Sequence, residues 1–283
     1  MANLVDKEFD GNRAVWEHSQ ALQAIESKSQ RRQWLEEHFQ GYGIECFRQN
    51  FSISLPFSKE VGGENVYGIV RAARAASTEA IVLLAPDTAP AIALLLGLAQ
   101  FAREQIYWAK DLIFLVVEER EFGVGAWLSA YHKRAVKGVR WSELDGRGGS
   151  IQAAIALDLH PNYEVYPFTH VAVKYNMVNG QLPNLDLVNL LVKIIRDEAM
   201  QPTFYGIGES LYRPDFSGWN EISQNLRCML QQASCRGDGL HSLFGSYGIE
   251  ALSIRPYSTP ASRKRQQYHG DIARYTIYTK ETN

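Results

Sequence analysis

The chain has 283 residues, enough for one large domain or two small ones. Hydrophobic residues make up 46% and charged residues 21%, close to the average for globular proteins, which excludes a disordered tail, a collagen-like fibre and a coiled-coil rod. The net charge is only −2, whereas proteins that bind nucleic acids usually carry a basic excess. We therefore expect no nucleic-acid partner.

The three cysteines are too few and too scattered for a disulfide scaffold or a cysteine-based zinc site. Cys228 and Cys235 are close enough in sequence to close a small loop in an oxidising compartment. The alternative is that both are thiols beside a helix.

Residues 1–10 carry several charges and do not form a signal peptide. The most apolar stretch, residues 80–102, is interrupted by Pro86, Asp87 and Pro90, so its second half is too short to span a bilayer, which needs about 20 residues. We expect the chain as given to fold in water, and it is compatible with being part of a longer protein.

Apolar spacing predicts helices and strands in alternation. In chain order these are a helix over 16–39, strands over 44–53, 65–70 and 80–85, a helix over 90–108, a strand over 112–117, a helix over 124–132, strands over 151–157 and 169–174, helices over 184–198 and 219–233, and a strand over 249–254. Short all-apolar strands are typical of sheets buried on both faces. The pattern therefore predicts an α/β fold, a three-layer αβα sandwich around a mainly parallel mixed sheet. We expect a single domain over 1–283, with mobility at the termini and around 256–270.

Acidic residues follow three of the predicted buried strands. Asp87 follows the first, Glu118 and Glu119 follow the second, and Asp158 follows the third. In open α/β sheets, ligands bind beyond the carboxyl ends of the parallel strands. We therefore expect Glu119 and Asp158 to lie in one crevice at that edge of the sheet.

Such a concentration of negative charge is unfavourable unless something compensates it. One interpretation is a hydrolytic metal site, with a glutamate as general base and the other carboxylates and a histidine as ligands. The alternative is a solvated strand edge, compensated by water or by a base such as Lys110 or Arg120. Histidine is scarce, with seven in the chain, and His241 is expected to be a packing or capping residue.

Residues 50–52, Asn-Phe-Ser, form an acceptor triplet for glycosylation at Asn50. The triplet has this meaning only if the chain faces a secretory lumen, and such triplets also occur by chance.

Five segments resemble a known family closely. They are ENVYGIVRAARAASTEAIVL (64–83), REQIYWAKDLIFLVVEE (103–119), GAWLSAYH (125–132), SIQAAIALDL (150–159) and NGQLPNLDLVNLL (179–191). They are similar to the luminal region of the glycosylphosphatidylinositol (GPI) anchor attachment family, whose members are the Gaa1 subunits of the GPI-anchor transamidase. The resemblance extends over roughly residues 4–255.

The resemblance implies a non-catalytic luminal domain in a complex of the endoplasmic reticulum membrane. In that complex a different, cysteine-protease-like subunit cleaves the carboxyl-terminal signal of a preprotein and joins the new end to the ethanolamine of the GPI lipid. The implied partners are the other transamidase subunits, together with the GPI lipid and the preprotein, and the implied role is assembly and substrate presentation. Family members carry membrane helices before and after this region, outside the present chain.

The Gaa1 family is in turn similar to zinc aminopeptidases with paired metals. That similarity implies a zinc-aminopeptidase-like fold and assigns Asp87 to the first aspartate of the metal site and Glu118 to the general base. It assigns Glu119 and Asp158 to metal ligands and His269 to the late histidine.

Two departures from the aminopeptidase pattern weaken the metal site. The first histidine position is Ala85, and the bridging aspartate has no counterpart in residues 88–96. Because alanine cannot bind a metal and paired metals need a bridging carboxylate, we expect vestigial candidates and no cofactor. Glu119, Asp158 and His269 are still three potential ligands for one zinc ion. The alternative is therefore a metal-dependent peptidase or amide-forming enzyme.

Overall fold

The computed structural model describes residues 12–55, 60–159, 170–198, 200–204, 207–208 and 219–257. The α-helices in these ranges are α1 (Asn12–Gln23), α2 (Lys28–Gly41), α3 (Ala89–Glu104), α4 (Glu121–Tyr131), α5 (Leu185–Asp197) and α6 (Trp219–Ala233). The strands are β1 (Glu45–Ile53), β2 (Val61–Val70), β3 (Glu79–Pro86), β4 (Asp111–Val117), β5 (Val139–Trp141), β6 (Ser150–Leu157), β7 (His170–Lys174), β8 (Gln201–Phe204), β9 (Ile207–Gly208) and β10 (Glu250–Tyr257). Short 3₁₀ helices cover Val178–Gly180 and Ser242–Tyr247.

All ten strands belong to one sheet, in the order β5-β1-β2-β4-β3-β6-β10-β7-β8-β9. The four central strands β4, β3, β6 and β10 are parallel to one another. On one side β2, β1 and β5 continue the sheet with antiparallel pairs, and on the other β7 is antiparallel to β10. The parallel centre brings the carboxyl ends of β4, β3, β6 and β10 to a single edge.

Helices cover both faces of this sheet, because the strands alternate apolar side chains between two cores. Ile113 and Leu115 of β4 pack with Trp127 of α4 on one face. Phe114 of the same strand packs with Leu95 of α3 on the other face, where α1 and α2 also lie. The period of two along a strand thus produces the three layers, and the predicted αβα sandwich is confirmed.

The structure differs from the predicted elements in its amino-terminal helix and in its shortest strands. The helix predicted over 16–39 is two helices, broken before Ser27, whose backbone is extended with φ −78° and ψ 124°. Apolar spacing continues across this break and therefore does not reveal it. The strands β5, β8 and β9, of three, four and two residues, are too short to show a pattern.

No helix in the described parts of the chain has both the length and the hydropathy needed to cross a bilayer. The segment expected to be mobile, 256–270, lies outside the described residues from 258 onwards.

The two neighbouring cysteines are not joined. Neither Cys228 nor Cys235 takes part in a disulfide bond. The Sγ of Cys228 lies on α6, 3.7 Å from the Tyr175 hydroxyl and 3.0 Å from Nε2 of Gln232. Cys235, just after the helix, is exposed. The sequence left two alternatives open, a disulfide that closes a small loop and two thiols beside a helix. The structure shows the two thiols.

Candidate functional site

A crevice of about 510 Å³ opens at the carboxyl edge of the parallel strands. Asp87 follows β3, Glu118 and Glu119 follow β4, Asp158 follows β6, and Arg255 lies near the end of β10. The complete lining is Lys28, Pro86, Asp87, Thr88, Val117, Glu118, Glu119, Arg120, Asp158, Leu159 and Arg255. Glu119 and Asp158 therefore share one crevice, as the sequence predicts.

Backbone hydrogen bonds between neighbouring strand ends hold two of these acids in place. The Asp87 N–H donates to the carbonyl of Val117 at 3.1 Å, and the Asp158 N–H donates to the carbonyl of Ile254 at 3.0 Å. These bonds prolong the pairing of the parallel strands by one residue. The positions of the two carboxylates are thus set by the sheet itself.

The turn after β4 has an unusual backbone. Glu119 and Arg120 both have positive φ, 55° and 50°, which costs non-glycine residues about 1–3 kcal/mol each. The Glu118 N–H donates to Oδ1 of the buried Asn65 at 3.2 Å, which helps to hold this turn. A Cβ on Gly123 would lie 2.1 Å from the Glu118 carbonyl oxygen, so only glycine lets α4 approach the turn this closely.

Of the crevice carboxylates, Glu118 has the most hydrogen-bond and ion-pair partners. One oxygen accepts hydrogen bonds from Nη1 of Arg32 at 2.6 Å and from the backbone N–H of Glu64 at 2.9 Å, and the other lies 3.2 Å from Nζ of Lys28. Burial alone would raise the pKa of Glu118, but the Glu64 and Lys28 hydrogen bonds and the Arg32 charge outweigh it, so the pKa is lowered. Glu118 is therefore a charged anchor and a poor base at neutral pH.

The side chain of Asp87 is only 7% exposed. Within the described part of the chain, neither carboxylate oxygen has a hydrogen-bond partner. The nearest cation is Arg31, whose Nη1 lies 3.8 Å from Oδ1. Burial raises the pKa of Asp87, although the charges of Arg31 and Arg32 oppose the rise. Asp87 thus depends on electrostatic compensation from α2 rather than on direct hydrogen bonds.

The remaining two acids also face basic side chains. Glu119 lies 3.2 Å from Nζ of Lys28, and Asp158 lies 3.3 Å from Nη2 of Arg120. The expected compensation by Arg120 is therefore present. The expectation for Lys110 is wrong, since Lys110 precedes β4 at the opposite edge of the sheet, where it pairs with Glu79 at 2.9 Å.

The described donors do not fit a zinc ion. Across the described ranges, no three His, Cys, Asp or Glu side chains are grouped as metal ligands would be. Ala85 is fully buried near the end of β3, and residues 88–96 begin α3, where Ala91 and Ile92 pack into the core. The carboxylates of the crevice face lysine and arginine. His269 falls outside the described residues.

Three basic residues of α2, which sequence reasoning missed, complete the site. Lys28, Arg31 and Arg32 lie in the first turns of this helix, which has no acidic residue in its first turn and no side-chain cap. Basic residues at a helix amino terminus oppose the helix dipole and destabilise an isolated helix. The unfavourable basic residues at the start of α2 are the sequence signal that could have indicated carboxylates elsewhere in the chain as their partners. The pKa of Lys28 is raised, because contacts with Glu118 and Glu119 outweigh its burial.

A serine and a histidine pair elsewhere in the fold. Nδ1 of His241 lies 2.7 Å from the Ser253 hydroxyl, and both residues are buried. Burial lowers the pKa of His241 to about 4, so the imidazole is neutral at physiological pH. This pair links the start of the second 3₁₀ helix to β10, and the packing role expected for His241 agrees with this geometry.

Asn50 lies in β1, which is paired on both sides by β2 and β5. The residue is exposed to solvent. The acceptor triplet is thus on the surface, within regular structure rather than in a loop.

This architecture is an exopeptidase-like α/β fold. The structure is similar to that of a leucine aminopeptidase precursor from Bacteroides thetaiotaomicron, with a TM-score of 0.53 and 10% sequence identity over 90% of this chain and 88% of that chain. At this identity the likeness shows the fold alone. The aminopeptidase-like fold expected from the sequence is confirmed.

Sequence comparison identifies the family. Residues 62–274 match the family described as Gaa1-like, GPI transamidase component, and the chain belongs to this family. The GPI transamidase component gaa1 of Schizosaccharomyces pombe is 30% identical over 78% of this chain and 39% of the relative. The corresponding GAA1 component of Saccharomyces cerevisiae is 34% identical over 53% of this chain and 24% of the relative. The chain thus spans about two fifths or less of the length of these relatives.

Proposed function

We propose that this chain is a non-catalytic domain of a GPI transamidase component. In this proposal it faces the lumen of the endoplasmic reticulum and acts in assembly of the complex and in presentation of the GPI lipid or preprotein. The observation that carries the non-catalytic part is the state of Glu118. Although Glu118 lines the crevice, both of its carboxylate oxygens are already engaged, by Arg32, Lys28 and the backbone N–H of Glu64.

The enzymatic alternative needs groups that are accessible and suitably protonated. A general base works best with a pKa near the operating pH, whereas the pKa of Glu118 is lowered from 4.5. Covalent catalysis would need a nucleophile next to a base, as Ser253 and His241 are, but both are buried and no substrate can reach them. These features favour a structural role for the crevice.

We further propose that the domain needs no zinc. The support is the ion pairing of the crevice, in which Arg32, Lys28 and Arg120 already compensate Glu118, Glu119 and Asp158. We expect the purified chain, prepared without chelator, to contain well under one zinc per molecule by elemental analysis. Near-stoichiometric zinc that is lost in Asp158→Ala would contradict this proposal.

Helix α6 supports a role in assembly. Its large apolar side chains recur at spacings of three, four and seven residues, and all are more than half exposed: Trp219, Ile222, Leu226, Met229 and Leu230. A continuous apolar stripe on a surface usually marks an interaction site. We infer that α6 contributes to contacts with other transamidase subunits.

The test uses cells in which this chain replaces the matching region of their own Gaa1-like component and a GPI-anchored reporter is measured at the surface. We expect Glu118→Gln and Asp158→Asn to keep more than about half of the anchoring, since neither serves chemistry. Leu226→Asp combined with Met229→Asp should lower both anchoring and co-purification of the other subunits. Complete loss of anchoring in Glu118→Gln, with normal protein level and assembly, would support the enzymatic alternative instead.

Asn50 is also proposed as a glycosylation site, since its side chain is exposed and the proposed location is luminal. Digestion with an endoglycosidase should increase the mobility of the protein made in cells. Asn50→Gln should remove that shift if Asn50 carries the glycan. An unchanged shift in the variant would show that another residue is modified.

A further inference from the structure

Helix α2 is held to the domain by two different kinds of contact. Its second half buries Leu35 and Phe39 completely, and Trp34 stacks on His38 with ring centroids 3.6 Å apart. Its first half contributes no fully buried apolar residue. What holds that first half is charge.

Most charged contacts of this first half point toward the crevice; the exception joins Nε of Arg32 to Glu64 of β2 at 3.0 Å. We define residues 28–32 as the basic strap; its side chains reach Asp87, Glu118 and Glu119 at distances between 2.6 and 3.8 Å. The side chains of Arg31 and Arg32 are only 17% and 13% exposed, so their charges are largely removed from water. Because desolvation of such charges is costly, they remain buried only while the carboxylates face them.

The carboxylates depend equally on the strap. Asp87 has no hydrogen-bond partner among the described residues, and Glu118 receives two of its contacts from the strap. The helix dipole adds to this, since the amino end of α2 lies toward the acids and favours negative charge there. Strap and carboxylates therefore stabilise each other, while the backbone pairing of the sheet sets where Asp87 lies.

We propose that the basic strap is a closing element of the carboxyl-edge crevice, docked by charge, which opens as a unit while the second half of α2 stays packed. In the closed state the basic side chains of the strap form ion pairs with the carboxylates. Any other cationic group must therefore compete with the strap for them. The apolar anchor at Leu35 and Phe39 is the fixed end about which the strap moves. This inference is independent of the proposed role in the transamidase.

The test measures amide hydrogen exchange by mass spectrometry on the whole chain. In Arg32→Gln, we expect the amides of residues 31–34 to exchange about tenfold faster, while those of 36–41 change less than about twofold. Glu118→Gln should have the same effect from the other side of the contact, and it keeps the oxygen that accepts the Glu64 N–H. If Arg32→Gln does not fold, Glu118→Gln still provides the test.

Two further variants make the result specific. The double variant Arg32→Gln/Glu118→Gln should accelerate exchange by less than the product of the two single effects, because the Arg32–Glu118 contact is lost in both. Lys110→Gln, which removes a charge from an exposed pair at the opposite edge, should leave α2 unchanged. Acceleration that is absent, or that spreads equally over α2 and the sheet, would overturn the proposal.

Discussion

Helices α2 and α6 differ in the side chains that they bury and expose. Helix α2 buries cationic side chains, Arg31 and Arg32, against acids supplied by the sheet. Helix α6 instead presents a stripe of apolar side chains to solvent, with Leu226 55% and Met229 66% exposed. The difference teaches which contacts the domain completes by itself: charge at the crevice is compensated internally, whereas the apolar surface of α6 is left for something outside the described residues.

The largest expected effect tests whether the crevice region depends on close backbone packing. Gly123→Ala places a Cβ 2.1 Å from the Glu118 carbonyl oxygen and 2.8 Å from Oδ1 of Asn65, so the turn after β4 must move. We expect a loss of more than about 3 kcal/mol in the free energy of unfolding, measured in urea. Among the described residues, a Cβ at Gly125 of the same helix meets only the Leu243 side chain, at 3.3 Å, so Gly125→Ala should be far milder. Equal losses in the two variants would contradict this explanation.

A second prediction separates the crevice from other sources of pH sensitivity. The pKa of the buried His241 is lowered from 6.5 to about 4, so between these values the unfolded chain binds a proton that the folded chain excludes. Stability should therefore fall as the pH drops from 6.5 to 4, by about 2–4 kcal/mol from this residue.

The measurement compares urea unfolding of the wild-type chain with that of His241→Asn across this pH range. The variant should lose the part of the slope that comes from the imidazole. If the two slopes agree, the acid sensitivity originates in groups other than His241.

A smaller effect is expected from the anchor of the strap. Because the pKa of Glu118 is lowered from 4.5, its contribution to stability is present above pH 4.5 and is lost as the pH falls through the folded value. Glu118→Gln should reduce the free energy of unfolding at pH 7 by about 1–2 kcal/mol and flatten the acid limb below pH 4.5. A loss that is the same at pH 3 and pH 7 would show that the charge does not matter.

The smallest effect on stability is expected at α6. Leu226→Gln and Met229→Gln alter exposed side chains, so the free energy of unfolding should change by less than about 0.5 kcal/mol. Co-purification of the other transamidase subunits should nevertheless fall. Leu95→Ala, at a fully buried position, should cost about 3 kcal/mol and serves as the contrast. A large loss of stability in the α6 variants would mean that the stripe packs within the domain.

The central elements of the fold were predictable because their patterns are long and strongly apolar. Strands β3, β4 and β6, together with α3, lie within a few residues of their predicted positions. The short strand β8 and the break before Ser27 were not predictable, because they depend on pairing and packing with distant parts of the chain. Local sequence carries little information about such contacts.

The acids of the candidate site were predicted, but their partners were not. Parallel strands bring their carboxyl ends together, so Asp87, Glu118 and Asp158 had to meet whatever the details of packing. Arg32 lies 86 residues from Glu118 in the chain, and its contact arises only because α2 packs beside the crevice. The spacing of residues along the sequence carries no information about such a contact.

The sequence by itself determined the family, the α/β alternation and the edge at which the acids gather, because each follows from local pattern and from residue type. Only the tertiary structure decided that those acids face lysine and arginine, since the cations come from a helix distant in the chain. The same holds for α6: its amphipathic spacing is written in residues 219–233, but packing decided that the apolar side would remain exposed. Burial and charge pairing depend on which surfaces meet, and that is a property of the folded chain.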